Sequence, residues 1–282
     1  MARIPVNKTY KLFIGGKFPR TESGRFYELV DRRDRLLANV PLASAGDLHG
    51  AVLVARQVQE QWGDATPYLR GRILYRLAEM LEGRAEQFVE ELRVQGSTPA
   101  RARKEVAAAV DLLVHYAGWS DKFQALFSSV NPVASPHHSI SVPEPTGVVA
   151  IVAPEMSGLL GLCSVLAPVL VGGNSAVVLA SQSMPLSALT LAEVIHSADV
   201  PGGVVNILTG ELDELLPDLS SHMDLNAILL CSDEPGDRAL VESQAAESVT
   251  RVRVQPDAPL AESPYHILDF QEIKTTWHPV GG

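Results

Sequence analysis

Residues 147–179 have the sequence GVVAIVAPEMSGLLGLCSVLAPVLVGGNSAVVL, and this stretch decides the fold. A continuous apolar strand from Val148 to Ala153 precedes an apolar helix from Gly158 to Val171, and a second apolar strand follows from Ala176 to Leu179. Strands that are apolar on both faces and alternate with helices are typical of a parallel sheet covered by helices on both sides.

The same alternation continues for three further strands and helices. The predicted elements are helix Leu186–Ala198, strand Val204–Leu208, helix Glu211–Leu219, strand Ala227–Leu230, helix Glu234–Ala246 and strand Val249–Val254. The sequence therefore predicts an α/β fold, with a Rossmann-like doubly wound parallel sheet over residues 146–256.

Residues 1–136 are predicted to contain strands followed by helices. Strand-like segments are Tyr10–Ile14 and Arg25–Val30, and Ser44 marks the start of an amphipathic helix because Asp47 completes a capping box. Further helices are predicted from Tyr68 to Val94 and from Ala102 to Phe127.

The two segments that flank the αβ core have a different pattern. Residues 137–145 alternate polar and apolar side chains and contain two prolines, which predicts an edge strand. Residues 257–264 form a proline-punctuated linker, and residues 265–282 include one long predicted strand, Tyr265 to Trp277. A lone strand of this kind needs the edge of another sheet to pair with.

Composition excludes several classes of protein. The 282 residues include 23 Lys and Arg against 33 Asp and Glu, a formal net charge of −10, and we expect no cluster of Lys and Arg. This balance argues against nucleic-acid and anionic-membrane partners. Two cysteines exclude a disulfide-stapled module and a multi-cysteine zinc site, and the segment from Met1 to Lys8 lacks the apolar region of a signal peptide. We expect a cytoplasmic protein.

Several ordered blocks resemble the aldehyde dehydrogenase superfamily over nearly the whole chain. They are Leu12–Gly16, Tyr116–Trp119, Gly173–Val178, Val200–Gly210 and Ser221–Asp224. The C-terminal segment 270–275 is similar to the family's oligomerisation strand, so the resemblance implies a small antiparallel β oligomerisation flap built from this strand and residues 137–145.

The resemblance lacks one whole domain. The family places its catalytic domain, with the nucleophilic cysteine, between the positions of Gln255 and Tyr265, where this chain has only residues 256–264. This architecture resembles the truncated, non-catalytic C-terminal half of aldehyde dehydrogenase family 16. The same resemblance implies that a longer natural chain could precede Met1.

The resemblance also assigns the family's catalytic positions to residues that do not support the reaction. The asparagine that donates to the oxyanion corresponds to Met156, whose side chain has no donor. The general-base glutamate corresponds to Gln255, which does not take up a proton at neutral pH. The resemblance therefore implies no catalytic residues and no enzyme activity.

The dinucleotide-binding positions are altered in the same way. The lysine and the glutamate that bind the adenosine ribose correspond to Leu179 and Gln182. The Gly-Ser turn that faces the pyrophosphate corresponds to Ser232 and Asp233, and Glu234 follows. Carboxylates at a helix N-terminus repel a phosphate that the helix dipole otherwise attracts, so the resemblance implies no NAD cofactor.

The remaining chemistry-bearing residues favour structural roles. Cys163 lies on an apolar helix and is interpreted as a core residue, whereas Cys231 ends a strand beside Asp233, where negative charge disfavours a thiolate. The pair His137 and His138 has no cysteine or carboxylate cluster nearby, so we expect no metal site.

Three hypotheses follow. The leading hypothesis is an inactive aldehyde-dehydrogenase-like domain with an assembly role, whose flap pairs with an intact aldehyde dehydrogenase half of the same polypeptide or of a partner subunit; the acidic helix Glu211–Leu219 could recruit other proteins. The alternative is a regulatory domain with weak residual NAD binding and no turnover. An enzyme of another class would need a reactive thiol at Cys231 or Cys163.

Overall fold

The computed structural model describes residues 8–280, so the predictions for Met1 to Asn7 lie outside the described residues. A five-stranded parallel sheet forms the centre of the structure. Its strands are β5 (Val148–Val152), β6 (Ser175–Leu179), β7 (Val205–Leu208), β8 (Ala227–Cys231) and β9 (Arg251–Gln255). The spatial order is β7-β6-β5-β8-β9, so the chain leaves β5 first to one side and later to the other.

Ten helices, two of them single turns, surround the sheet in the described part of the chain. They are α1 (Ala45–Asp64), α2 (Pro67–Glu82), α3 (Ala85–Val94), α4 (Pro99–Trp119), α5 (Phe123–Phe127), α6 (Leu160–Val171), α7 (Pro185–Ser197), α8 (Leu212–Ser220), α9 (Pro235–Ser248) and α10 (Tyr265–Leu268).

The sheet separates two hydrophobic cores. Successive side chains of a strand point to opposite faces, and in β5 Val149 and Ile151 join the core that contains α2, α4, α6 and α7. Val148, Ala150 and Val152 join the second core, which contains α1, α8 and α9. The predicted doubly wound α/β fold is confirmed, and α6 is buried on every side because it lies between the sheet and α4.

The N-terminal segment differs from the prediction at its start. Strands β1 (Phe26–Val30) and β2 (Leu36–Pro41) form a hairpin, but the predicted strand Tyr10–Ile14 is wrong. Phe13 makes only an isolated antiparallel bridge to Ile207, because the chain turns at once through Gly15 and Gly16 at φ values of +63° and +73°.

The two long predicted helices are each interrupted. The predicted helix Tyr68–Val94 is two helices, since α2 ends at Glu82 and α3 begins at Ala85. The predicted helix Ala102–Phe127 begins earlier, at Pro99, because the Thr98 hydroxyl accepts the backbone N–H of Arg101 as an N-cap. It ends at Trp119, and the separate turn α5 follows.

The flap is a three-stranded antiparallel sheet of β3 (Ser129–Asn131), β4 (His137–Pro145) and β10 (Gln271–Pro279), in the order β10-β4-β3. The predicted edge strand is therefore the middle strand. The predicted single strand Tyr265–Trp277 is also wrong, because α10 precedes β10 and brings Ile267 and Phe270 together into the first core.

The segment 256–264 lies against the αβ core. Leu260 packs on the first core, and its backbone N–H donates to the Ser164 hydroxyl at 2.9 Å. The Tyr116 hydroxyl donates to the Ser263 carbonyl at 3.2 Å. Among residues 8–280, no helix combines the length and the apolar character needed to cross a bilayer.

Candidate functional site

A cleft of about 490 Å³ opens at the carboxyl end of the parallel sheet. Its floor contains Ala153, Ala180 and Cys231, which lie at the ends of β5, β6 and β8. The chain reverses its direction across the sheet between β5 and β8, and ligands of open α/β sheets bind at this switch point. Topology alone therefore makes this cleft the candidate site.

Four of the six residues singled out from the sequence line this cleft: Leu179, Gln182, Ser232 and Asp233. Leu179 is the last residue of β6, and its side chain is buried in the second core. Gln182 is held through its backbone, because its N–H donates to the Glu155 carboxylate at 2.9 Å and its carbonyl accepts the Tyr27 hydroxyl at 2.8 Å.

The turn before α9 is occupied by its own side chains. The Ser232 hydroxyl donates to the Asp237 carboxylate at 2.6 Å and accepts the backbone N–H of Glu234 at 3.1 Å. Asp233 accepts the backbone N–H of Asp257 at 3.4 Å. No side chain caps the first turn of α9, so a phosphate at this helix N-terminus is opposed by the neighbouring carboxylates Asp233, Glu234 and Asp237.

The cleft is strongly acidic. Five carboxylates line it, and no lysine or arginine of the described chain does. The five residues are Glu155, Asp233, Glu234, Asp237 and Asp257. An anionic ligand in this cleft meets repulsion from every side, because opposite charges that could neutralise the carboxylates are missing from its lining.

Sequence reasoning missed the structural role of Glu155 and Asp257. The Glu155 carboxylate also accepts the backbone N–H of Ser183, so it fixes the loop that follows β6. The Asp257 carboxylate accepts the backbone N–H groups of Glu155 and Met156 and so binds the linker to the loop that follows β5. The available signal is position, since a polar residue just after a parallel strand lies at the carboxyl edge of the sheet.

The two remaining predicted positions lie outside the cleft lining. Met156 is 62% exposed; its backbone N–H donates to Asp257, and its carbonyl accepts Arg101 at 3.5 Å. Gln255 is half-buried at the end of β9, where it pairs with Cys231. The structure therefore places the four residues assigned by resemblance to dinucleotide binding in one cleft, and the two assigned to catalysis outside its lining but next to residues that line it.

Both cysteines are buried thiols. Burial and the nearby Glu105 carboxylate raise the pKa of Cys163 to about 12. Burial and the charge of Asp257 raise the pKa of Cys231 to about 12. A thiol of this kind is overwhelmingly protonated at neutral pH and is a poor nucleophile.

The histidine pair makes ordinary surface contacts. The His137 ring packs edge-on against Trp277 with centroids 5.8 Å apart, and its Nδ1 lies 3.0 Å from the Ser135 hydroxyl. Residues 8–280 contain no group of three or more His, Cys, Asp or Glu side chains arranged to hold a metal ion.

The parallel sheet, its order and the cleft at its switch point define a Rossmann-like α/β domain. Residues 20–256 match the model of the aldehyde dehydrogenase family. The chain belongs to this family.

Individual relatives and a solved structure support the same family assignment. Cytosolic 10-formyltetrahydrofolate dehydrogenase of Xenopus laevis is 32% identical over 259 residues, which cover 89% of this chain and 29% of that protein. Mitochondrial benzaldehyde dehydrogenase of Antirrhinum majus is 29% identical over 275 residues, which cover 95% of this chain and 50% of that protein. The NAD+ complex of aldehyde dehydrogenase from Bacillus cereus superimposes with a TM-score of 0.83 at 25% identity and covers 88% of this chain and 51% of that one.

In all three comparisons the match covers a much larger share of this chain than of the other protein. Nearly all of this chain matches, but it spans only 29–51% of the length of these three proteins. The chain is an aldehyde dehydrogenase-family domain that is truncated relative to its full-length relatives.

Proposed function

We propose that this chain is a non-catalytic aldehyde dehydrogenase-family domain that acts in assembly, the counterpart of the truncated C-terminal half of aldehyde dehydrogenase family 16. Its flap adds β10 to the sheet of an intact aldehyde dehydrogenase catalytic domain, which belongs to the same longer polypeptide or to a partner subunit. The proposal also places the protein in the cytoplasm.

The proposal rests on one observation, the exposure of β10 and, within the described residues, its pairing on one side only. Among residues 8–280, β10 pairs with β4 alone, and residues 272–279 of this strand are exposed. Ile273 and Trp277 are 52% and 56% exposed on the same face of the strand. A long edge strand with exposed apolar side chains is a template for another strand, and main-chain hydrogen bonds supply affinity without side-chain chemistry.

The identity of the partner follows from what this chain lacks. Between β9 and β10 it has only the linker and the single turn α10, so it contains no second large sheet in the described residues. An identical copy therefore offers no catalytic-domain sheet in return. An intact member of the family does offer one, which favours the hetero-contact over self-association.

Absence of turnover is supported by the site itself. The two thiols are buried and protonated, Met156 has no hydrogen-bond donor on its side chain, and the cleft presents five carboxylates to any dinucleotide. The persistence of a cleft of about 490 Å³ is the observation that favours the alternative, a regulatory domain with weak residual NAD binding.

The mass of the chain in solution, alone and mixed with an intact aldehyde dehydrogenase catalytic half, tests the assembly role. We expect a complex with the wild type and at least a tenfold weaker one with the double variant Ile273→Lys and Trp277→Lys. Val249→Lys is the matched control, because Val249 is 91% exposed and lies outside the flap. No complex with the wild type, or equal weakening by the control, contradicts the proposal.

A further inference from the structure

The fold gathers four arginines around one cavity that shares no lining residue with the cleft. The cavity has a volume of about 510 Å³ and lies between the β1–β2 turn and the junction of α3 with α4. The arginines in its lining are Arg32, Arg33, Arg35 and Arg93. The expectation from the sequence that the chain has no cluster of Lys and Arg is therefore wrong at this place.

Two of the four guanidinium groups are neutralised locally. Arg35 pairs with Asp31 at 2.6 Å, and these hydrogen bonds hold the pKa of the Asp31 carboxyl at about 2, so that it is ionised at neutral pH. Arg93 pairs with Glu90. The lining therefore retains two positive charges that no carboxylate within it balances.

Those two charges belong to Arg32 and Arg33. Within residues 8–280, neither forms an ion pair with a carboxylate. Arg32 donates to the carbonyl of Gly96 at 3.3 Å, and its guanidinium lies beside the space that a Cβ would occupy on Gly96, where the chain has a φ of +109°. This contact holds one guanidinium at the rim of the cavity, where it can present its remaining N–H groups.

One part of the cavity wall supplies hydroxyl groups and a favourable helix dipole. It consists of Ser97 and Thr98, which directly precede the helix α4 of 21 residues. Thr98 caps this helix, so the positive end of the helix dipole lies beside the arginines. The hydroxyl of Ser97 is half-buried at the same wall.

We propose that this cavity binds a phosphomonoester group, carried by a small sugar phosphate or by a phosphorylated side chain of another protein. Planar guanidinium groups form bidentate hydrogen bonds with phosphate oxygens, and a dianion matches the two unbalanced positive charges better than a carboxylate does. Asp34 lies on the same turn, but it is exposed and does not line the cavity. It is therefore not one of the carboxylates that neutralise the arginines of the lining.

Isothermal titration with inorganic phosphate at low ionic strength tests the site. The wild type is expected to bind phosphate, and the double variant Arg32→Ala and Arg33→Ala is expected to bind at least tenfold more weakly. Arg32→Lys and Arg33→Lys together keep the charge but lose the planar fork, so an intermediate affinity is expected. Arg72→Ala and Arg103→Ala together are the control, since both arginines are exposed and lie outside this cavity.

The source of the phosphate is distinguished by a second series of ligands. Ribose 5-phosphate, a phosphoserine peptide and the unphosphorylated peptide are titrated into the same proteins. Tighter binding of either phosphorylated ligand than of inorganic phosphate identifies the carrier. No binding of phosphate to the wild type, an equal loss in the control pair, or equal affinity for the unphosphorylated peptide overturns the proposal.

Discussion

The carboxylate of Asp257 accepts the backbone N–H of Glu155, and this hydrogen bond joins the linker after the last parallel strand to the loop after the first one. Asp257 also accepts the N–H of Met156. One side chain therefore holds the linker between β9 and α10 against the loop that follows β5.

Replacement of Asp257 by Ala is expected to lower the free energy of unfolding by about 1–3 kcal/mol, because two backbone donors lose their acceptor. Limited proteolysis within residues 256–264 should accelerate in the same variant. Asp257→Asn retains a carbonyl acceptor and removes one of five crowded charges, so its stability should stay close to that of the wild type. Urea unfolding measures the free energy of unfolding of the wild type, Asp257→Ala and Asp257→Asn.

Asp213→Ala on the exposed face of α8 serves as the control for loss of a carboxylate. If Asp257→Ala and the control have equal stability, the hydrogen bonds of Asp257 do not fasten the linker. If Asp257→Asn is as unstable as Asp257→Ala, negative charge itself is required at this position.

Sequence patterning was sufficient for the parallel sheet because its signal is local and repeated. Each strand of the core is apolar on both faces, and each crossover contains a helix, as in Val148–Val152 followed by Leu160–Val171. The arrangement of the flap was harder to predict from the sequence. The residues of β4 alternate like those of an edge strand. β4 is nevertheless the middle strand, because β10, more than a hundred residues later, pairs along its whole length.

The candidate site was predictable only in part, because one of its contacts is made between segments that are far apart in the sequence. Leu179, Gln182, Ser232 and Asp233 all follow or end parallel strands, so the topology brings them together. Asp257 lies in a segment whose proline-rich pattern indicates a linker, and no local pattern shows that its carboxylate turns back to the loop after β5.

The wild type is expected to show no change in melting temperature at millimolar NAD, because its cleft is acidic and lacks basic residues in the described chain. A variant that combines Leu179→Lys, Gln182→Glu, Ser232→Gly and Asp233→Ser should regain binding. At ten times its dissociation constant, NAD would stabilise this variant by about 1.4 kcal/mol. Equal stabilisation of both proteins would favour the regulatory alternative.

Both thiols should resist modification in the native state. With a pKa of about 12, Cys163 and Cys231 are almost entirely protonated near neutral pH, and their side chains are closed to solvent. Reaction with a chromogenic disulfide reagent at pH 7.5 should be slower by a factor of about 100 or more than in denaturant. In the variant Cys231→Ser, Cys163 is the remaining thiol, so the variant gives the modification rate of Cys163 alone. Rapid native labelling of either thiol would revive the hypothesis of a thiol enzyme.

Two histidines, His49 and His222, join α1 to the loop after α8. His49 Nδ1 lies 3.0 Å from His222 Nε2, with ring centroids 5.2 Å apart, and His222 Nδ1 accepts the backbone N–H of Asp224 at 3.2 Å. His222 therefore donates through Nε2 and has no place for a second proton. Burial, and next the charge of His49, lower the pKa of His222 below 6.5.

Since the unfolded chain binds this proton more readily than the folded one, the stability contributed by neutral His222 is fully present above about pH 6.5 and is lost as the pH falls towards the folded pKa. His222→Gln should cost about 0.5–1.5 kcal/mol at pH 7.5, where it loses the inter-ring hydrogen bond. It should also flatten the decline in stability between pH 7 and 5. Urea unfolding over this range compares it with His278→Gln, an exposed histidine on β10. A wild-type decline that persists unchanged in His222→Gln assigns the pH dependence to other groups.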